Sequence, residues 1–285
     1  MKDLDYDNIN INAIDDIGKT VLHYATIQNQ DAFIHKIREN YYVNINAQHK
    51  YGKTLLHYAP QFYNHHKLIT ILLAHKDIKI NIQDYDGNTA LYHVSKKNDS
   101  QSIKMLMKHK GINVNIQAKT GRLPLHNLLA YSDEQLLHLL LSRDDIEVNM
   151  VAREGRTFLH QAVDKNCVAY IKQLLSLQDI DINTWDKYGC TPFRLAVEEC
   201  KSECIEELLF HKEIDINLKD EQGITSLEIA ELLIGVASNQ MYYQYKDNYE
   251  STVDLLNTFS FSDHHIQSNS ITPNSITERD STQEV

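Results

Sequence analysis

Gly18-Lys19-Thr20-Val21-Leu22-His23-Tyr24-Ala25 is followed by almost the same octet at 52–59, GKTLLHYA, and again at 155–162, GRTFLHQA. Working outward from the leading residue, glycine recurs at Gly18, Gly52, Gly87, Gly121, Gly155, Gly189 and Gly223, at spacings of 34, 35, 34, 34, 34 and 34 residues. These are seven of only nine glycines in the chain, so glycine serves one recurrent geometric purpose. Six residues before each stands an asparagine: Asn12, Asn46, Asn81, Asn115, Asn149, Asn183 and Asn217. A period held this tightly marks a tandem array in which every unit is one supersecondary module.

The content of a unit follows from its local chemistry. Two residues after the glycine stands Thr20, Thr54, Thr89, Thr157, Thr191 or Thr225, with Leu123 the exception. Threonine there predicts a helix N-cap, its hydroxyl taking a backbone N–H that the first turn cannot satisfy. Pro124 and Pro192 fall at the next position, where a helix tolerates a missing N–H. A second helix is predicted from IKMLMKH at 103–109, LLHLLLS at 136–142, YIKQLLS at 170–176 and CIEELLF at 204–210, whose apolar residues share one helical face. Between the two helices Asn29, Asn98 and Asn166 predict a left-handed turn. In the second unit Asn64 comes one residue late, after Pro60, which is expected to end the first helix early. The connecting stretches, such as IKINIQDYDG at 78–87, alternate apolar residues and predict a hairpin turning at the glycine.

With period, helix pair and turn in place, the octets resemble the G-x-T-P-L-H-x-A signature of ankyrin repeats over roughly residues 9–234. That resemblance implies an all-α solenoid of seven helix-turn-helix units joined by β-hairpin loops, each burying its apolar face on its neighbours. The period departs from the family's usual 33 residues by one, in the segment before the asparagine, as in LLAHKDIKIN. The array is expected over 1–261, with an irregular last unit. There Leu255-Leu256 come about 13 residues later than the pattern requires, placing an insertion near 238–250 that carries Tyr242, Tyr243, Tyr245 and Tyr249. Residues 262–285, half of them Ser, Thr, Asn or Gln, read as a polar disordered tail.

Composition narrows the function classes. The 285 residues carry a net charge of −11, which argues against a general nucleic-acid or anionic-membrane binder. No stretch approaches the roughly 18 apolar residues of a membrane helix, and the N-terminal MKDLDYDNIN is acidic where a signal peptide is basic. Cys167, Cys190, Cys200 and Cys204 contain no C-x-x-C pair and read as reduced thiols of a cytoplasmic protein.

Histidine is abundant, with 15 in the chain, yet His23, His57, His126 and His160 occupy one repeat position. Packed helices stand about 8–10 Å apart, too far for equivalent side chains to share one metal ion. The resemblance implies a structural hydrogen-bonding role for them. His65-His66 and His264-His265 have no acidic or cysteine partner at ligand spacing, so no metal or cofactor is expected. Cys200 and Cys204, spaced i, i+4, are read as packing residues. No nucleophile elbow, zinc-hydrolase or kinase signature and no phosphate-binding loop is present, so no enzymatic activity is expected.

What remains is a binding surface. The resemblance implies that partners touch the hairpin tips and the exposed side of the first helices, positions −2, −1, +1, +9 and +10 about each glycine. In the second to fifth units these hold Lys50, Lys53, Lys96, Lys97, Lys119, Arg122, Arg153, Arg156 and Lys165 against Asp86, Glu154 and Asp164, a local excess of six positive charges in an acidic chain. Tyr51, Phe62, Tyr85, Tyr131 and Tyr188 fall at or beside the same places, and aromatic residues with arginine dominate interface energies. The array is therefore expected to be a monomeric scaffold that binds another protein through an acidic contact. The basic face could instead be a solvated one kept soluble by lysine, and the alternative function is a secreted bacterial effector or adaptor that uses the array as an address, acts through its tail or tyrosine-rich insertion, and is translocated into a host cell. That alternative draws on the heavy use of Asn, Ile, Lys and Tyr at interchangeable positions, as an A/T-rich genome produces. Asn149, Asn183 and Asn217, each with a leucine eight before, an acid two before and an apolar residue one before, also resemble ankyrin asparagines that a cytosolic hydroxylase modifies.

Overall fold

In a computed structural model of the chain, residues 10–27, 43–61, 65–129, 131, 133–237 and 246–268 are described. The chain divides into two compact units, Met1–Leu195 and Ala196–Val285. The described helices are α1 (Val21–Ile27), α2 (Leu55–Tyr58), α3 (His65–Leu73), α4 (Ala90–Lys96), α5 (Ser100–Met107), α6 (Pro124–Leu128), α7 (Glu134–Leu141), α8 (Phe158–Asp164), α9 (Val168–Leu175), α10 (Pro192–Glu198), α11 (Ser202–Leu209), α12 (Ser226–Ala237) and α13 (Lys246–Ser268). No strand occurs among the described residues; the one isolated β-bridge joins Ile14 to Thr20.

Each short first helix starts where its threonine predicts. Thr89 and Thr157 accept from the backbone N–H groups of Tyr92 and His160, and Thr191 Oγ1 does so from Arg194. Thr54 makes no such cap bond; its hydroxyl lies 2.8 Å from His57 Nδ1 instead. At Thr157 the hydroxyl makes both contacts, and in each case the histidine three residues on also closes the turn itself. His57 Nδ1 accepts from Thr54 N at 3.1 Å, and His126 does the same for Leu123 N at 3.0 Å. Leu123 can therefore occupy the cap position without a hydroxyl. Pro60 shortens α2 to four residues and leads it into a 3₁₀ turn over Ala59–Gln61.

The chain reverses between helices through residues of positive φ: Asn98 and Asn166 at 53° and, at the equivalent position, Cys200 at 51°. Asn29 and Asn64 lie outside the described residues. At the hairpins, Gly87 has φ 78°, and a Cβ on it would stand 2.7 Å from Lys119 N of the next repeat. Glycine is required there both for conformation and for close approach.

In the first unit the helices bury leucine, isoleucine, valine and alanine on facing sides. Leu68, Ile69 and Leu72 of α3, Ile103 and Leu106 of α5, and Leu136, Leu137 and Leu140 of α7 are each at most 2% exposed. Each such leucine contributes about 1.5–3 kcal/mol on burial. The hairpins carry a second bond system. The amide of Asn81 donates to Gly111 O (2.7 Å) and accepts from Asn113 N (3.0 Å), and Asn46, Asn115 and Asn149 repeat the pattern to Asp77 and Lys79, Asp145 and Glu147, and Asp179 and Asp181. The recurring asparagine is thus a clamp onto the following repeat. The expected β-hairpin loops are held by turns of this kind and by single tip-to-tip bonds, such as Tyr85 N to Tyr51 O at 3.0 Å.

In the second unit α12 packs on α13, and Phe210 meets Phe259 edge-on at 6.3 Å. Tyr249, the one insertion tyrosine among the described residues, donates from α13 to Glu198 O at 3.1 Å. Tyr242, Tyr243 and Tyr245 lie outside the described residues. The backbone of α13 continues to Ser268, so the boundary expected at 261–262 falls within a helix, and 269–285 lie outside the described residues. No helix among the described residues is long and apolar enough to cross a membrane.

Candidate partner-binding surface

The basic residues fall into two groups. Lys96, Arg122, Arg153, Arg156 and Lys165, with Tyr131, line one groove of about 600 Å³ within the first unit, floored by His126 and Asn127. Lys50, Tyr51, Lys53, Tyr85, Lys119 and Tyr188 stand at the hairpin tips instead. Tyr51, Tyr85 and Tyr188 are 57, 61 and 58% exposed, which leaves their rings open to a partner. Lys50 Nζ lies 4.9 Å from the Tyr51 ring centroid, and Lys187 Nζ lies 4.7 Å from that of Tyr188. Phe62 lies outside the described residues.

Not every positive charge faces solvent alone. Arg156 Nε donates to Asp186 Oδ2 at 3.0 Å and its Nη1 stands 3.7 Å from Asp164, so its charge is absorbed within the fold. Burial alone would lower its pKa, but the bond to Asp186 and the surrounding carboxylates outweigh it and raise the pKa. Lys165 pairs with Asp164 at 3.0 Å, and Lys97 donates to Pro60 O at 3.3 Å. Lys96, Arg122 and Arg153 are exposed on the groove and are the side chains best placed to meet an anionic group. Glu154 and Asp164 line the same groove, but Glu154 is engaged by Lys187 and Tyr188 at 3.1 and 3.2 Å and Asp164 by Arg156 and Lys165. The groove therefore concentrates donors, and its Tyr131 hydroxyl is bonded to Lys96 O at 2.6 Å, which fixes one wall.

The four repeat histidines are buried, each at most 3% exposed. His57 and His160 hold their Nδ1 against a threonine N–H and donate from Nε2 to Asn88 O and Cys190 O of the next repeat, at 3.1 and 3.0 Å. They are consequently joints between repeats and do not converge on one point.

Asn149 of the three candidate hydroxylation residues has its amide engaged at both ends by Asp179 and Asp181, and Asn217 is exposed. Asn183 takes its own backbone bond to Asp181 Oδ1 at 3.0 Å.

Several functional neighbours escaped the sequence reading. Asp186, which neutralises Arg156, occupies a position three before its glycine, shared with Asp15, Asp84 and Asp220; each accepts backbone N–H bonds two and four residues on. That recurrence was a usable signal. The acid that meets His65 and His66 is Asp99, on the next repeat, 33 to 34 residues away, and local ligand spacing could not find it.

Comparison with known proteins agrees with this architecture. A family model described as ankyrin repeats (3 copies) matches residues 4–84, 31–119, 64–152 and 125–220. The ankyrin repeat domain of Bcl-3, described as a unique member of the IkappaB protein family, superposes with a TM-score of 0.62 at 20% identity, covering 75% of this chain and 94% of that one. EF0377, an ankyrin repeat protein, gives 0.55 at 22% identity over 68% of this chain and 94% of its own. No curated protein matches.

Proposed function

The chain belongs to the ankyrin repeat family, whose arrays are protein–protein interaction modules, and from that premise we propose that it captures an acidic segment of a partner protein in the groove of its first unit. The observation that carries this reading is the convergence of Lys96, Arg122 and Arg153 on one groove in a chain of net charge −11. Steering by such a patch accelerates encounter, and guanidinium–carboxylate bonds then fix register. The exposed tyrosines at the hairpin tips supply apolar contact area beside it. The protein acts by binding, as the family typically does, and no residue is assigned a catalytic role.

The test is capture of partners by the full chain and by a Lys96→Glu, Arg122→Glu, Arg153→Glu variant that melts alike. Arg156 is left untouched because its reversal would set a glutamate against Asp186. The reading expects a partner lost with the variant and released by moderate salt. A partner retained equally by both moves the contact to the hairpin tips or to the C-terminal segment, and truncation after Ser268 then separates those two.

Asn149, Asn183 and Asn217 are carried as hydroxylation sites. The reading predicts that incubation with an asparagine hydroxylase, iron and 2-oxoglutarate adds oxygen to the chain, and an unchanged intact mass overturns it.

A further inference from the structure

Two second helices, α3 and α5, are tied to the next repeat through the acid that caps the following second helix. Between α5 and α7 that tie is one hydroxyl bond: Ser100 Oγ donates to Asp133 Oδ2 at 2.8 Å, and Asp133 in turn caps α7 through Leu136 N. Between α3 and α5 the same place holds two imidazoles. His65 Nε2 stands 2.7 Å from Asp99 Oδ2 and His66 Nε2 stands 3.1 Å from Asp99 Oδ1, while Asp99 caps α5 through Ser102 N at 3.1 Å. One serine meets the structural need in one repeat, so a pair of aromatic nitrogens on a single carboxylate exceeds it.

The donor set has the form of a ligand set. Both histidines present the same ring atom, Nε2, toward one carboxylate, and the three ligating atoms lie within 4.8 Å of one another. A tetrahedral zinc ion with bonds of about 2.0–2.2 Å requires ligand atoms separated by roughly 3.3–3.5 Å, which lies between the two observed separations and that limit. The carboxylate is oriented by its bond to Ser102 N, as an outer-shell contact orients a ligand. The three side chains are part-exposed, at 23, 36 and 16%, so an ion has a path in and solvent or a partner's side chain has a coordination position left over. Nitrogen–oxygen donors of this kind favour zinc and its neighbours over magnesium or calcium.

We propose that His65, His66 and Asp99 bind one zinc-class divalent cation across the junction of two repeats. As the ion takes each Nε2, the proton that atom shares with Asp99 passes to Nδ1 of the same ring, so both histidines bind as neutral imidazoles and Asp99 supplies the negative charge. The ion fastens α3 to the α5 cap.

The test uses the full chain, stripped with a chelator and titrated with zinc by calorimetry, with cobalt as a visible-absorption probe. The expected result is one saturable equivalent and a raised melting temperature. His66→Ala is expected to weaken that equivalent at least tenfold, and so is Asp99→Asn, which keeps a cap acceptor for α5. Identical isotherms in native chain and His66→Ala overturn the proposal, because the ion then sits on other histidines, as does the absence of a saturable equivalent. Should either variant fail to fold, imidazole ¹⁵N shifts of the native chain decide it: one equivalent of zinc must move Nε2 of His65 and His66, and movement confined to other histidines overturns the assignment.

Discussion

Arg156 Nε donates to Asp186 Oδ2 across 3.0 Å and 30 residues, from the base of one hairpin to the next, with the aspartate side chain completely buried. The same carboxylate accepts from Tyr188 N at 2.8 Å and Cys190 N at 3.0 Å, so it holds its own turn and the neighbouring repeat together. Asp186→Ala should therefore cost about 2–4 kcal/mol, because three donors lose their acceptor and a partly buried guanidinium keeps only the longer contact to Asp164 at 3.7 Å. Arg156→Ala should cost less, about 1–2 kcal/mol, since the backbone bonds to Asp186 survive. Urea unfolding of the two variants checks the order, and equal midpoints would show that the two backbone bonds to Asp186 add nothing beyond the ion pair.

The asparagine clamps make a second, graded prediction. Asn81→Ala removes both its bond to Gly111 O and the one from Asn113 N, and should destabilise the chain by about 1–2 kcal/mol. Asn81→Asp keeps the acceptor but loses the donated bond and places a carboxylate against a carbonyl oxygen, so it should be no better than alanine. Hydrogen exchange would show the loss first at Gly111–Asn113.

Left-handed residues should respond to the backbone alone. Asn98 sits at φ 53°, where a side chain with a Cβ is strained. Asn98→Gly should be neutral or stabilising by up to about 1 kcal/mol, and Asn98→Ala destabilising by about 1 kcal/mol. If both variants melt together, the turn is set by packing of α4 against α5 and not by φ.

Much of this was legible because the array writes the same physics repeatedly. A glycine that must clear Lys119 N, a threonine before a helix and an asparagine at a left-handed turn each leave a residue-specific mark at a 34-residue period. What local reading lost are the contacts made across that period. The recurring Asn81 showed only as a period, but its amide reaches the next hairpin; Arg156 looked available to a partner, but Asp186 occupies it; His65 and His66 looked unaccompanied, but Asp99 faces them. Each of these pairs is separated by 30 to 34 residues, so only alignment of one repeat against the next could have brought them together.

The buried histidines predict how stability changes with pH. His23, His57 and His126 are pushed down to about 4, in each case chiefly by burial, with His49, His93 and Arg122 respectively adding like charge, and His160 is lowered by burial as well. In the folded chain these rings stay neutral, and Nδ1 of each accepts a backbone N–H that a proton would displace. In the unfolded chain each ring takes its proton near 6.5, so between about 6.5 and 4 the unfolded state binds more protons and stability falls as pH is lowered. Above about 6.5 the histidine contribution is fully present. Asp99, held down at about 2 against its burial by bonds to Ser102 and the two histidines, keeps its contribution above the ordinary carboxylate range and loses it only as pH falls through that range toward about 2. Loss of stability between pH 6.5 and 4.5 therefore belongs mainly to the buried imidazoles. Melting temperature should be flat from pH 8 to 7 and drop steeply below 6.5, and His126→Gln, which cannot take a proton, should flatten part of that slope while lowering the plateau. A native profile that stays level down to pH 4.5 would show that these rings gain protons in the fold as easily as in the open chain.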